Sequence, residues 1–345
     1  MERRNLGRTG VSVSPLCLGA MMFGPRGNPD HDDAIRIIHR ALDAGINFID
    51  TADVYSQGES EEVVGKALKR RRDDVVLATK VHGPMGEDPN MQGLSRRWIV
   101  REVENSLRRL QTDRIDLYQV HRPRPEIDVD ETLGALTDLQ RQGKVINIGC
   151  STFPPSMIVE AHWCAERRGH ARFMSEQPPY SILVRATETD VLPVCERYGM
   201  GVIPWSPLAG GFLSGRWRKG GEPFSSRRID VVPASFDMTM PENQRKLDAV
   251  EELAVLAEEA GLTLIEMALA FVIRHPAVTS AIIGPRTMEH LESQLTAPAV
   301  RLTDDVLDRI DEIVPPGTTI NPADDGWPAN PALRPERRRR PSTSV

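Results

Sequence analysis

The chain has 345 residues, 40% apolar and 27% charged, which is enough for a large core beneath a charged surface. A formal net charge of −6 gives no electrostatic reason to expect nucleic acid or an anionic membrane as a partner. No apolar run approaches the roughly 18 residues of a membrane span, and Met1-Glu2-Arg3-Arg4-Asn5 has no apolar core of a secretory signal, so a cytoplasmic protein is expected. The four cysteines, Cys17, Cys150, Cys164 and Cys195, are scattered, and the eight histidines form no HExxH. Free thiols and no metal site are the expectation.

In chain order, Arg3-Arg4-Asn5-Leu6 and Val11-Ser12-Val13 flank Gly7-Arg8-Thr9-Gly10, a hairpin signal. Short apolar runs follow at 15–19, 46–50, 75–80, 115–121, 145–149, 173–177, 201–205 and 281–284. Their length and composition predict buried parallel strands. Segments with one-faced helical spacing lie between or after them: 32–44, closed by Gly45; 98–110, after Ser95 as N-cap; then 131–142, 156–168 and 190–197. Further helical patterns cover 245–259, 264–274, 287–295 and 304–314. Most strand starts are about 30 residues apart, the length of a βα unit. Eight such units suit either a closed barrel or an open doubly wound sheet. The pattern predicts one domain over 1–320 and an irregular tail over 321–345, ending in a disordered basic stretch, Arg337 to Arg340. Gly199-Met200-Gly201 precedes a strand, the reverse of a dinucleotide fingerprint, and reads as a turn.

Polar residues close several of the predicted strands. Asp50 ends the second, Lys80 the third and His121 the fourth, with Tyr55 in the loop after Asp50. In a parallel barrel these ends converge on one face. A tyrosine, with a pKa near 10, is a poor proton donor at neutral pH unless its phenolate is stabilised. A lysine ammonium can do this, an aspartate can hold the lysine, and a histidine can bond a carbonyl oxygen as charge develops there. Each residue also has an ordinary reading: helix cap, surface charge, buried imidazole, loop aromatic. The combination at consecutive strand ends is the sharper signal.

The segment Phe48-Ile49-Asp50-Thr51-Ala52-Asp53-Val54-Tyr55, with Gly58-Glu59-Ser60-Glu61 after it, resembles a signature of the aldo-keto reductases. The resemblance continues through Ala78-Thr79-Lys80, Tyr118-Gln119-Val120-His121, Gly149-Cys150-Ser151-Thr152 and Glu176-Gln177-Pro178 to Trp205-Ser206-Pro207-Leu208 and Ile283-Gly284-Pro285-Arg286, spanning roughly residues 3 to 314. It implies an α/β fold, a (β/α)8 TIM barrel with an N-terminal hairpin and a C-terminal tail over the barrel mouth. It also implies hydride transfer from NADPH to an aldehyde or ketone carbonyl, with Tyr55 as acid/base, Lys80 and Asp50 tuning it, and His121 orienting the carbonyl.

The resemblance further implies a cofactor site. Ser151, Thr152 and Gln177 would meet the carboxamide, Trp205 the nicotinamide ring, and Gly19, Ala20 and Met21 the first strand end. Ser206, Pro207, Leu208, Gly210, Gly215 and Arg216 would pass the pyrophosphate, and Ile283, Gly284, Arg286, His290 and Gln294 the adenosine end. Thr152 departs from the usual Asn, and His290 and Gln294 from the usual residues of their segment, so NADH use is also open. Met22, His82, Trp98 and Trp327 are pocket candidates with packing as the alternative. The arginines and lysine of the 212–240 insertion (Arg216, Arg218, Lys219, Arg227, Arg228) suit either cofactor phosphates or an anionic substrate. Two other functions compete: an NADPH-sensing regulatory subunit on the same barrel, and a metal-dependent hydrolase, which needs more strand-end histidines than His121 alone.

Overall fold

The computed structural model describes residues 1–221, 229 and 232–326. Arg227, Arg228, Trp327 and the arginine-rich end lie outside the described residues. Strands β1 (Arg4–Asn5) and β2 (Ser12–Val13) pair antiparallel as the predicted hairpin. Eight parallel strands follow: β3 (Leu16–Gly19), β4 (Phe48–Asp50), β5 (Val76–Val81), β6 (Ile115–Val120), β7 (Val145–Ser151), β8 (Ser175–Gln177), β9 (Gly201–Val202) and β10 (Ala281–Ile283). From β3 to β9 each pairs with the next in sequence, and β10 returns to pair with β3.

The remaining seam, between β9 and β10, is bridged by Thr279 N–H donating to Val202 O at 2.8 Å and Ile282 N–H to Pro204 O at 2.9 Å. Ile203 and Trp205 donate to the β8 side, so the N–H that Pro204 lacks is one that would face β10. That missing donor explains why the expected strand 201–205 is regular only over Gly201–Val202. The sheet is a closed barrel, and the open doubly wound alternative is set aside.

Side-chain alternation along the strands divides the barrel into layers. Cys17, Phe48, Ala78, Leu117, Ile203 and Ile282 point inward as an apolar plug, and Leu6 and Val13 of the hairpin pack with it. Two residues further along four of these strands stand Asp50, Lys80, Gln119 and Trp205, which period two directs to the same inner face one layer nearer the mouth. The outward faces pack against helices in a second, larger core.

The helices follow the predicted pattern with their caps. In α1 (His31–Asp43), Ala34, Ile37, Ile38, Ala41 and Leu42 are buried, and Asp30 caps the N-terminus by accepting from Asp33 N–H. One helix was not anticipated: α2 (Glu59–Leu68), whose N-cap is Gly58 at φ +96°, so that no side-chain cap marks its start. Its buried Val63, Val64, Ala67 and Leu68 carried a one-faced spacing that could have shown it. Next come α3 (Arg96–Leu110), capped by Ser95 as expected, α4 (Val129–Arg141), α5 (Pro155–Arg168) and α6 (Val191–Tyr198). After the insertion lie α7 (Pro241–Glu259), α8 (Leu264–Arg274), α9 (Met288–Glu292) and α10 (Asp304–Ile313). The helix expected over 287–295 stops at Glu292. Gly199 is the left-handed cap of α6, the turn expected there. No helix among the described residues is long and apolar enough to cross a membrane.

Candidate active site at the barrel mouth

Lys80 is fully buried at the end of β5, and its ammonium has three acceptors. It donates to Asp50 Oδ2 at 2.5 Å, to Thr51 O at 2.9 Å and to Tyr55 Oη at 3.2 Å. Burial alone would lower its pKa, but Asp50 and Tyr55 outweigh that and hold it above the ordinary lysine value. Asp50 is held from its other side: Oδ1 accepts from Gln119 Nε2 at 3.0 Å and from Gln177 Nε2 at 2.9 Å. Gln119 was not singled out in the sequence, although it lies two residues before His121, on the same strand face. Gly149 makes room for this layer, since a Cβ there would stand 2.3 Å from Ser175 Oγ and 3.3 Å from Gln119 Cγ.

Tyr55 opens a tight turn (Tyr55–Gly58) after β4, and the imidazole of His121 stands edge-on to its ring at 5.6 Å. Burial, then Lys80, Arg122 and His82, push the His121 pKa well below the usual histidine value, which favours the uncharged imidazole. Because Tyr55 Oη accepts from Lys80, its own O–H is free to donate elsewhere. The four strand-end groups expected to meet are gathered here.

Around them, Ser151 Oγ donates to Gln177 O at 2.9 Å, and Ser151 and Gln177 are register partners of β7 and β8. Thr152 follows in the left-handed region at φ +57°, a conformation that strains a β-branched residue and that asparagine tolerates better. That is a local reason for asparagine to be usual here. Trp205 is half-buried, and its Nε1 is buried with no hydrogen-bond partner among the described residues. At the first strand end, Gly19 pairs with Asp50 and Ala20 N–H donates to Asp50 O at 2.8 Å, with Met21 half-buried beyond them. Met22 is likewise half-buried.

The segment after Trp205 takes left-handed conformations at Ser206 (φ +60°) and Ala209 (φ +48°), and again at Gly210 (φ +70°). Pro207 is buried, Leu208 packs against the core, and Gly215 is exposed. Arg216 Nη2 donates to His290 Nε2 at 2.7 Å. Burial, Arg216 and Arg286 lower the His290 pKa, consistent with a neutral ring accepting that bond. Among the described residues neither Arg216 nor Arg286 has a carboxylate within ion-pair distance. The other cations of this segment do: Arg218 pairs with Glu251 and Lys219 with Asp248. Two guanidiniums around one neutral imidazole, next to left-handed backbone, form a setting that an anionic phosphate suits. Ile283 is buried in β10 and Gly284 exposed just past it, while Gln294, just beyond α9, is turned back onto it, donating to His290 O at 2.5 Å.

The other pocket candidates separate. Trp98 is fully buried in the outer core, so the packing reading holds for it. His82 is half-buried and accepts from Arg124 Nε at 2.8 Å; burial and the two nearby arginines lower its pKa to about 4. The four cysteines are free and buried.

A parallel (β/α)8 barrel carrying this polar layer at its C-terminal mouth defines a class of barrel oxidoreductases. The sequence model described as "Aldo/keto reductase family" matches residues 15–315, and the chain belongs to that family. It is 40% identical over 328 residues to "Uncharacterized oxidoreductase YrpG" of Bacillus subtilis, covering 91% of this chain and 96% of that one. "Aldo-keto reductase YhdN" of the same organism is 35% identical over 298 residues, 85% of this chain and 87% of its own. "Putative voltage-gated potassium channel subunit beta" of Schizosaccharomyces pombe is 34% identical over 318 residues, 90% and 92% respectively. The family's chemistry is carbonyl reduction with nicotinamide cofactors.

Proposed function

We propose that the protein reduces an aldehyde or ketone with NADPH, using Tyr55 as the proton donor. The observation that carries this reading is the chain Asp50–Lys80–Tyr55, with 2.5 Å and 3.2 Å between the successive polar atoms. When bound, the reduced nicotinamide supplies the hydride to the carbonyl carbon. Tyr55 gives its proton to the carbonyl oxygen, so that an alcohol leaves, and the adjacent Lys80 ammonium stabilises the phenolate that results. Asp50, held by Gln119 and Gln177, keeps the ammonium charged and aimed. A neutral His121 directs an N–H at the carbonyl oxygen and sets the substrate's orientation.

Ser151, Thr152, Gln177 and Trp205 would hold the nicotinamide end. Ser206 to Arg216 would follow the pyrophosphate, and Arg286 with Arg216 would take the 2′-phosphate, which favours NADPH over NADH. The test is loss of absorbance at 340 nm when protein, NADPH and an aromatic aldehyde are mixed. Tyr55→Phe should remove that loss while leaving cofactor binding in place; turnover persisting in the variant would eliminate Tyr55 as donor.

The potassium-channel-subunit names among the relatives support a second reading, an NADPH-responsive regulatory subunit on the same barrel. Very slow turnover with NADP+ retained through purification, and a stable partner protein, would favour it.

A further inference from the structure

Directly after His121, the loop leaving β6 carries Arg122 and Arg124, and the two are placed differently. Arg124 is engaged: its Nε donates to His82 and its Nη1 reaches Glu126 at 3.1 Å. Arg122 turns toward the mouth, its guanidinium carbon 5.9 Å from the centre of the Trp205 ring. Its Nη1 donates to His121 O at 2.7 Å, with Thr152 Oγ1 at 3.2 Å and Ser151 Oγ at 3.5 Å. No bond from its Nε or Nη2 is made among the described residues, and none of their carboxylates lies within ion-pair distance. After burial, Tyr55 and then Glu176 are the acidic groups among the described residues that act on it. It is half-buried, so a charge has been drawn partly out of water without a counter-ion among the described residues. A guanidinium stays charged under these conditions. The unengaged Nε–Nη2 edge is one that binds a carboxylate through two parallel hydrogen bonds.

We propose that Arg122 is a specificity-determining residue that receives a carboxylate on the substrate, so that the preferred substrates are carbonyl compounds bearing an anionic group. This rests on the reductase reading above and adds a substrate class to it. The carbonyl meets Tyr55 and His121, and the carboxylate reaches the free edge of Arg122 beside Trp205. Lysine could not replace the arginine fully, because an ammonium offers no planar pair of donors.

The experiment compares 3- and 4-carboxybenzaldehyde with their methyl esters as substrates of the wild-type protein and of Arg122→Gln and Arg122→Lys. In parallel, benzoate and benzamide are titrated by quenching of tryptophan fluorescence in the presence of NADP+, and NADP+ affinity is measured for each protein. The wild type should favour at least one acid over its ester by tenfold or more in kcat/KM, mainly through KM, and should bind benzoate above benzamide. Arg122→Gln should lose both preferences, with ester turnover and NADP+ affinity within about threefold of wild type; Arg122→Lys should keep part of them. An acid preference that is absent in the wild type, or undiminished in Arg122→Gln, overturns the proposal. So does an Arg122→Gln variant that slows acid and ester alike and weakens NADP+, which would make the arginine a support for the carboxamide site. If no aldehyde is turned over, the reductase reading fails, and the benzoate titration still decides separately whether Arg122 binds a carboxylate.

Discussion

Gly326 lies against the edge of Trp205 so closely that a Cβ on the glycine would stand 2.5 Å from Cζ2 and 2.9 Å from Cη2 of the indole. The last described segment of the chain therefore walls the aromatic platform of the proposed site. Gly326 is also left-handed, at φ +71°, so a side chain there is strained even before it meets the ring. Gly326→Val should push the segment off Trp205, shift the tryptophan emission and weaken binding of nicotinamide or substrate. A stability loss of about 1–2 kcal/mol is expected alongside. Unchanged emission and unchanged KM would show that the contact is dispensable.

The pairing of Lys80 with Asp50 leads to a sharper prediction, because both charges are buried. Lys80→Met removes the cation and leaves Asp50 with only the amides of Gln119 and Gln177. Breaking a buried pair from one side costs about 3–5 kcal/mol. The double variant Lys80→Met/Asp50→Asn, which removes both charges, should recover most of that stability in urea denaturation. Reductase turnover should fall by about 100-fold or more in both variants, in the range of general acid–base effects. A double variant as unstable as the single one would deny that the unpaired carboxylate is the cause.

Glu176 supplies a pH prediction. It is fully buried on β8; Oε1 accepts from Phe153 N–H at 3.1 Å, while Oε2 has no partner among the described residues. Burial, only partly offset by its hydrogen bonds, pushes its pKa up to about 7 from 4.5. Below pH 4.5 the carboxyl is protonated in folded and unfolded chains alike. As pH rises above that value, the unfolded chain ionises first, so stability declines until the folded group also ionises around pH 7. Glu176→Gln cannot ionise. Relative to wild type it should gain about 3 kcal/mol between pH 4 and pH 8, read from urea midpoints across that range. A difference that does not change with pH would mean that the folded carboxyl titrates normally.

Much of this was legible in one dimension. Side chains on a strand change face at every residue, so residues two apart share the barrel's inner face, the plug residues first and the polar ones nearer the mouth; Asp50, Lys80 and the imidazole of His121 could be read from this as strand-end groups. Ser95 marked a helix start and Gly199 a turn, by local chemistry that needs no distant partner. The helix after Tyr55 was less visible, since Gly58 caps it with backbone alone.

What the chain alone could not determine are the contacts whose partners lie far apart in sequence. Gln119 and Gln177 meet on Asp50 across 69 and 127 residues, and Gln119 reads in isolation as one more polar residue in an apolar strand. Lys246 on α7 passes for a helix-surface charge, yet it is buried, bonded to Asp324 at 2.7 Å and to Ser235 O at 2.8 Å. Arg122 and Arg124 look alike in a loop; only folding turns Arg124 onto His82 and leaves Arg122, bonded through Nη1 alone among the described residues, facing the mouth. Local order follows from propensity and periodicity, which neighbouring residues carry between them. The state of a buried charge depends on what the rest of the barrel brings within about 4 Å of it, and that is decided only when the sheet closes.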